Sequence, residues 1–167
     1  RYLKFHYAVP RPAPTDKAGV PTARPDPASV IDAADGSAWT SVHKEYHRRF
    51  KRLVDLFGYQ DILMVDVQTG NVVYSVKKED DFGTNLLTGP YSDSGLAKTF
   101  RAVRQSRDPF FISYSDFESY KPSFGMTTMF VGTTIFSGDK LVGALIFQID
   151  NNRVDNLMTS SRHWAEV

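Results

Sequence analysis

The chain has 167 residues, 41% of them hydrophobic and 23% charged, with 20 basic against 19 acidic side chains and a formal net charge of +1. That length and balance fit one soluble domain with a real core, and without a basic excess to neutralise phosphates nothing in the charge favours nucleic acid or an anionic membrane as a partner. No cysteine occurs, which removes disulfides, thiolate metal sites and cysteine nucleophiles together.

Arg1 to Val9 reads as the tail of a helix, because Leu3 and Tyr7 sit four apart on one face. Pro10 stops it. Six prolines and Gly19 then fall between Pro10 and Pro27, a composition that makes neither helix nor central strand and reads as a solvated loop. No apolar run approaches the roughly 18–20 residues that span a bilayer, and no signal-peptide pattern is visible. The chain opens mid-pattern at Arg1-Tyr2-Leu3 and is expected to be a piece of a longer protein whose membrane anchor lies outside it.

Asp35-Gly36-Ser37 is turn chemistry before a helix start. From Trp39 to Phe57 the residues Trp39, Val42 or His43, Tyr46, Phe50, Leu53 and Phe57 recur at spacings of three and four, the stripe of an amphipathic helix, and Gly58 supplies its stop. At Asp61 the period changes. Asp61 to Val67 and Val72 to Val76 are short apolar runs around the turn Gln68-Thr69-Gly70-Asn71, which predicts a hairpin. Lys77 to Tyr91 is a long polar connection. Ser94 to Arg104 is a helix capped by Ser94 with Leu96, Phe100 and Val103 on one face. Phe110–Tyr114, Thr127–Phe136 and Leu141–Ile149 are three more strands, and Asn152–Trp164 returns to helical period.

This order predicts an α+β fold, a five-stranded antiparallel sheet with a long N-terminal helix packed on one face and a C-terminal helix. Residues 1–34 form the helix tail and Pro-rich loop, and residues 35–167 the folded domain. The expected core is Tyr46, Phe50, Leu53, Ile62, Met64, Val72, Phe100, Phe130, Ile146 and Phe147.

Several stretches also resemble a known family. They are Gly58-Tyr59-Gln60-Asp61-Ile62-Leu63-Met64-Val65-Asp66 running into Thr69-Gly70-Asn71-Val72-Val73-Tyr74-Ser75-Val76, then Asp81-Phe82-Gly83-Thr84-Asn85-Leu86 and Gly89-Pro90-Tyr91-Ser92-Asp93-Ser94-Gly95-Leu96-Ala97. Asp116-Phe117, Tyr120, Pro122-Ser123-Phe124-Gly125 and the closing Leu141-Val142-Gly143-Ala144-Leu145-Ile146-Phe147-Gln148 complete the set. Over Asp35 to Met158 the chain resembles the Cache (extracellular PAS-like) sensor domains of bacterial chemoreceptors, sensor histidine kinases and nucleotide cyclases. The resemblance implies a PAS-like, extracytoplasmic (periplasmic) sensor in a membrane-anchored receptor, a homodimer in the full receptor, and often a second half-module beyond the first. The tyrosine, arginine and tryptophan pattern of amino-acid-binding double Cache domains is not evident.

The candidate chemistry is sparse. His43 and His47 share a helix face and could meet one metal, but Lys44, Arg48 and Arg49 crowd them and no glutamate directly follows His43, so they read as ordinary surface or packing histidines. Glu79, Asp80 and Asp81 read as a solvated acidic loop, with Asp81 able to order it by accepting backbone amides. Ser92-Asp93-Ser94-Gly95 lacks a nucleophile elbow, and no histidine follows before His163. Ser94 caps a helix there, a start whose free amides could also hold an anion. No nucleophile, base and oxyanion group converge, so no enzyme, metal or cofactor is expected.

In PAS-like folds the pocket lies between the sheet and the connections that cover it. Tyr74, Asp116, Tyr120, Phe124 and Gln148 are therefore expected to line a single cavity on the sheet face away from the long helix. A carboxylate at Asp116 favours a cationic or hydroxylated ligand, and the aromatic faces could hold an amine. Gln148, among apolar neighbours, needs a partner that either a ligand or the backbone can supply. The expected function is signal sensing by binding a small molecule and passing the signal through the terminal helices. The alternative is a dimerisation or protein-interaction module with no small ligand.

Overall fold

The computed structural model describes Tyr7 and residues 26–151. The helix tail at residues 1–9 (Tyr7 aside), the proline-rich stretch up to residue 25 and the terminal helix expected over 152–164 lie outside the described residues. Two helices and six strands follow in the order α1 (Ala38–Phe57), β1 (Asp61–Asp66), β2 (Val72–Ser75), α2 (Gly95–Gln105), β3 (Ile112–Tyr114), β4 (Glu118–Tyr120), β5 (Met126–Ser137) and β6 (Lys140–Asp150). They form an α+β fold with one antiparallel sheet in the order β2-β1-β6-β5-β3, with β4 also paired to β5.

The sixth strand corrects the expected five. Glu118–Tyr120 pairs with Thr128, Thr127 and Met126, while β3 pairs further along the same edge with Thr133 to Val131. β3 and β4 are three residues each, too short for a period-2 pattern to stand out from a loop. The other boundaries agree within about two residues of those expected, the usual uncertainty of element ends.

Both sheet faces are covered, which explains why Ile62-Leu63-Met64-Val65 shows no polar alternation. Ile62, Met64, Tyr74, Val76, Leu145 and Phe147 turn toward α1 and meet Val54, Phe50 and Trp39. Leu63, Val65, Val72, Phe130, Ala144 and Ile146 turn the other way and meet Leu96, Phe100 and Val103 of α2 together with Phe82 and Leu86 of the 77–94 connection. That connection runs as successive turns. An added Cβ at Gly89 would lie 2.3 Å from the Asn85 carbonyl oxygen, so the tight turn there requires glycine.

Helix α1 begins at Ser37, whose hydroxyl accepts from the Thr40 amide at 3.1 Å, and ends at Gly58 with φ 65° in the left-handed region. Its buried seam is not the expected stripe. Thr40, His43, His47 and Val54 are buried with Phe50 half-buried between them, whereas Tyr46 is 41% and Leu53 38% exposed. The seam keeps the three–four spacing but is shifted around the helix. The cause is a second layer on α1: residues 26–33 pack along it and present carbonyl groups that only polar side chains can satisfy. Of the remaining expected core, Ile62, Val72, Phe100, Phe130 and Ile146 are fully buried, while Met64 and Phe147 are only half-buried beneath α1.

Candidate functional site

One end of the sheet face away from α1 is polar rather than apolar. Asp61 opens β1 and is buried at that end. Its Oδ1 accepts from the amides of Ile62 (2.7 Å), Val76 (2.9 Å) and Lys77 (3.1 Å), and its Oδ2 from the Ser75 hydroxyl (2.6 Å). The chain then reverses through Lys78, at φ 55°, and brings Glu79 and Asp81 back over the sheet. The Tyr120 hydroxyl donates to Asp81 Oδ2 at 2.7 Å. Glu79 accepts from the Ser123 hydroxyl at 2.5 Å, and that hydroxyl accepts from Gln148 Nε2 at 2.8 Å. Asp61 and Gln148 are directly paired across β1 and β6.

Three carboxyl groups are thus drawn together with little solvent. Burial, outweighing its four donors, raises Asp61 to about 6. Burial and then the Asp61 charge raise Asp81 to about 7. Burial also raises Glu79, and burial with the neighbouring Asp81 raises the Tyr120 hydroxyl far above the usual phenol range. Two acceptor atoms in this cluster, Asp81 Oδ1 and Gln148 Oε1, are buried with no hydrogen-bond partner. Buried acceptors are almost always paired, so each of these two atoms is an exception that a donor would relieve. Tyr120 packs edge-on to Phe130 at 4.9 Å between ring centroids and lies 6.2 Å from Tyr91. Tyr91 and Glu79 are half-buried. Among the described residues no group of three histidine or acidic side chains is placed to hold a metal ion.

The five expected site residues separate. Tyr120 and Gln148 belong to this cluster. Tyr74 does not, because it faces α1, and Asp116 and Phe124 stand on the surface, Phe124 being 97% exposed at a left-handed turn. Asp61, Glu79, Asp81 and Ser123 take the places that sequence reasoning gave to Tyr74, Asp116 and Phe124. The signal was present in part: an aspartate at the head of an apolar strand and an acidic triplet, which read equally well as a solvated loop.

A second polar cluster joins α1 to residues 26–33. The carbonyl of Ile31 lies 2.8 Å from His43 Nδ1, that of Ala28 lies 2.8 Å from His47 Nε2, and that of Pro27 accepts from Lys78 Nζ at 3.1 Å. A carbonyl can only accept, so His43 carries its proton on Nδ1 and His47 on Nε2, and the Tyr74 hydroxyl donates to His47 Nδ1 at 2.8 Å. Of the two readings left open for these histidines, the structure places both in the packed interior, hydrogen-bonded. Burial, followed by the nearby Lys78 charge among the weaker causes, lowers both histidines to about 4. Burial likewise lowers Lys78 to about 8 against the attraction of Asp61 and Asp26.

The sign of the pH dependence follows. An unfolded histidine takes up its proton near 6.5 and the folded one near 4, so stability is full above that window and falls as pH drops through it. Asp61 and Asp81 have raised values and act in the opposite sense over an overlapping range, so a difference between variants isolates the histidine. The stability advantage of the parent over His43→Phe should shrink by about 3 kcal/mol between pH 7 and pH 4, as urea midpoints at the two values will show.

No family model matches the chain. No curated protein matches it. Among solved structures it is similar to the crystal structure of the V. cholerae histidine kinase DctB sensor domain, at 15% identity and a TM-score of 0.45, over 68% of this chain and 42% of that one. The chain therefore spans less than half of that sensor domain's length. No helix among the described residues is long and apolar enough to cross a membrane.

Proposed function

We propose that this chain is an extracytoplasmic ligand-sensing domain of a bacterial transmembrane receptor, and that it takes a small amine at the Asp81–Gln148 cluster. The observation that carries this is the pair of fully buried, unpartnered acceptors, Asp81 Oδ1 and Gln148 Oε1. Asp81 belongs to the 77–94 connection and Gln148 to β6, on the sheet face where the resemblance to PAS-like sensors would put a ligand. An ammonium group supplies three donors and no acceptor. It meets the unpaired atoms, sets a positive charge against the Asp81 carboxylate, and rests against the faces of Tyr120 and Tyr91.

A route to the rest of the domain is built in. The backbone amide of Lys78, three residues before Asp81, donates to the Ser75 hydroxyl at 2.7 Å, while its side chain holds Pro27 and lies 3.2 Å from His47 Nε2. A ligand that draws Asp81 inward thereby shifts the support of residues 26–33 and α1. It does so only as far as it binds one arrangement better than the other.

A thermal-shift screen of small primary amines, diamines and uncharged polyols at pH 8 tests the reading. Amines raise the melting temperature of the parent by mass action, and polyols of equal size do not. Asp81→Asn folds and gives no shift. Because an ammonium expels the Asp81 proton, affinity for the amine rises with pH through about 7. A second reading, a dimerisation module without a ligand, is favoured by the exposed apolar side chains of α1: Val42, Tyr46, Leu53, Leu56 and Phe57. It predicts no amine response and a melting temperature that climbs with protein concentration.

A further inference from the structure

A cavity lies on the opposite side of the sheet from the acid cluster, between α1 and the β1–β2 hairpin. Its volume is about 380 Å³, within the range of small-molecule pockets. Trp39, Val42, His43, Tyr46, Phe50, Met64, Val73 and Tyr74 line it. Tyr74 and His43 are buried at its base, while Val42 and Tyr46 stand 58% and 41% exposed at its mouth. The lining is aromatic to an unusual degree for a packed helix–sheet junction, where aliphatic side chains would close the gap.

The polar groups of Trp39 and Tyr74 are spoken for. Trp39 Nε1 donates to the Val73 carbonyl at 3.1 Å, and the Tyr74 hydroxyl donates to His47. The His43 ring is fixed on both sides, stacked on Trp39 at 4.5 Å and on His47 at 4.3 Å, with Nδ1 tied to Ile31. That bond assigns the proton to Nδ1 and leaves Nε2 a bare acceptor lone pair. Nε2 is buried and has no partner. An imidazole held rigidly, with its one free atom an unused acceptor, in a groove otherwise apolar, is what an aromatic ligand with a single donor requires.

From the empty acceptor in an aromatic groove we infer a second binding site, at His43, for a planar aromatic molecule carrying one N–H or O–H donor. The ring lies among Trp39, Tyr46, Phe50 and Tyr74, and the donor reaches His43 Nε2. The site is independent of the amine cluster, from which the sheet separates it. It sits on α1, the helix whose seam with residues 26–33 passes through the same His43, so an occupant bears directly on how that helix is held.

Indole and 1-methylindole are the probes, since they differ in the N–H alone apart from one methyl group. Calorimetric titration of the parent at pH 7 should give indole an affinity about five- to tenfold above 1-methylindole, the worth of one neutral hydrogen bond to a buried acceptor. His43→Phe keeps an aromatic ring in the stack and removes the acceptor, so it should bind the two equally. Phenol against anisole repeats the comparison without the methyl on nitrogen, and chemical-shift changes of Met64 and Tyr74 in the parent locate the site even where His43→Phe folds poorly. Asp81→Asn should retain the indole preference, which separates failure of this site from failure of the amine site. Equal binding of both members of each pair by the parent overturns the inference. So does a parent that binds neither but associates with itself through this face, with the same resonances moving as protein concentration rises.

Discussion

Truncating Phe130 to alanine should lower the unfolding free energy by about 3–5 kcal/mol, as for other fully buried aromatic side chains. Phe130 is 0% exposed in the middle of β5 and packs edge-on against Tyr120. Its backbone is held on both sides by Ser115, whose hydroxyl accepts from the Phe130 amide at 3.0 Å and whose amide donates to the Phe130 carbonyl at 2.9 Å. The strand therefore cannot shift to fill the void, and the cavity remains. Phe147 provides the contrast. It lies on the α1 face, half-buried, with Tyr59 at 4.9 Å, and its truncation should cost about 1–2 kcal/mol on the transfer of a partly exposed ring. Denaturant midpoints for the two variants check the ordering. A larger loss at Phe147 than at Phe130 would mean that the wrong sheet face has been taken as the main core.

Asp61→Ala should be destabilising to a similar degree, about 3–5 kcal/mol, by a different cause. The carboxylate accepts from three backbone amides and one hydroxyl in a site that is 1% exposed. Alanine leaves all four donors buried without an acceptor, and each such group carries a desolvation cost. Asp61→Asn keeps one carbonyl oxygen in the same place and should lose much less. The asparagine variant also carries a pH signature. The folded Asp61 carboxyl sits at about 6 against an ordinary 3.8, so the parent loses stability as pH rises through that window, and the variant lacks this loss. Equilibrium unfolding at pH 4 and pH 7 reads both effects. An alanine variant as stable as the asparagine one would show that water replaces the carboxylate, and that Asp61 does not organise the β1–β2 end.

The elements that could be read from the sequence are those with a strong local period or a cap. The helix from Trp39 to Phe57, the Ser94 cap and the hairpin around Thr69-Gly70 are each imposed through a few neighbours, and each is found where expected. The facing of α1 was not legible. Its apolar stripe implies burial of Tyr46 and Leu53, yet the buried seam runs through Thr40, His43 and His47. Residues 26–33, far from α1 in period and composition, supply the carbonyls that select histidine there. The candidate site was half legible for the same reason. Tyr120 and Gln148 were expected on the covered face and are there. Asp61, Glu79 and Asp81 come together only because the chain reverses at Lys78, in a left-handed conformation that no lysine announces. Asp116 and Phe124, close to Tyr120 in sequence, are carried to the surface by the two short strands on the β5 edge.

The central claim is that the buried acid cluster receives an amine, and its most direct test is calorimetric titration of the best amine from the screen into the parent and into Asp81→Asn, each at pH 6 and pH 8. The parent should bind more tightly at pH 8, with protons released to the buffer at pH 6 as the Asp81 carboxyl, held near 7 in the free protein, is ionised by the bound ammonium. Asp81→Asn should show weak binding at both pH values and no proton release. Binding by Asp81→Asn as tight as by the parent, or parent affinity unchanged between the two pH values with no proton released, would contradict the account.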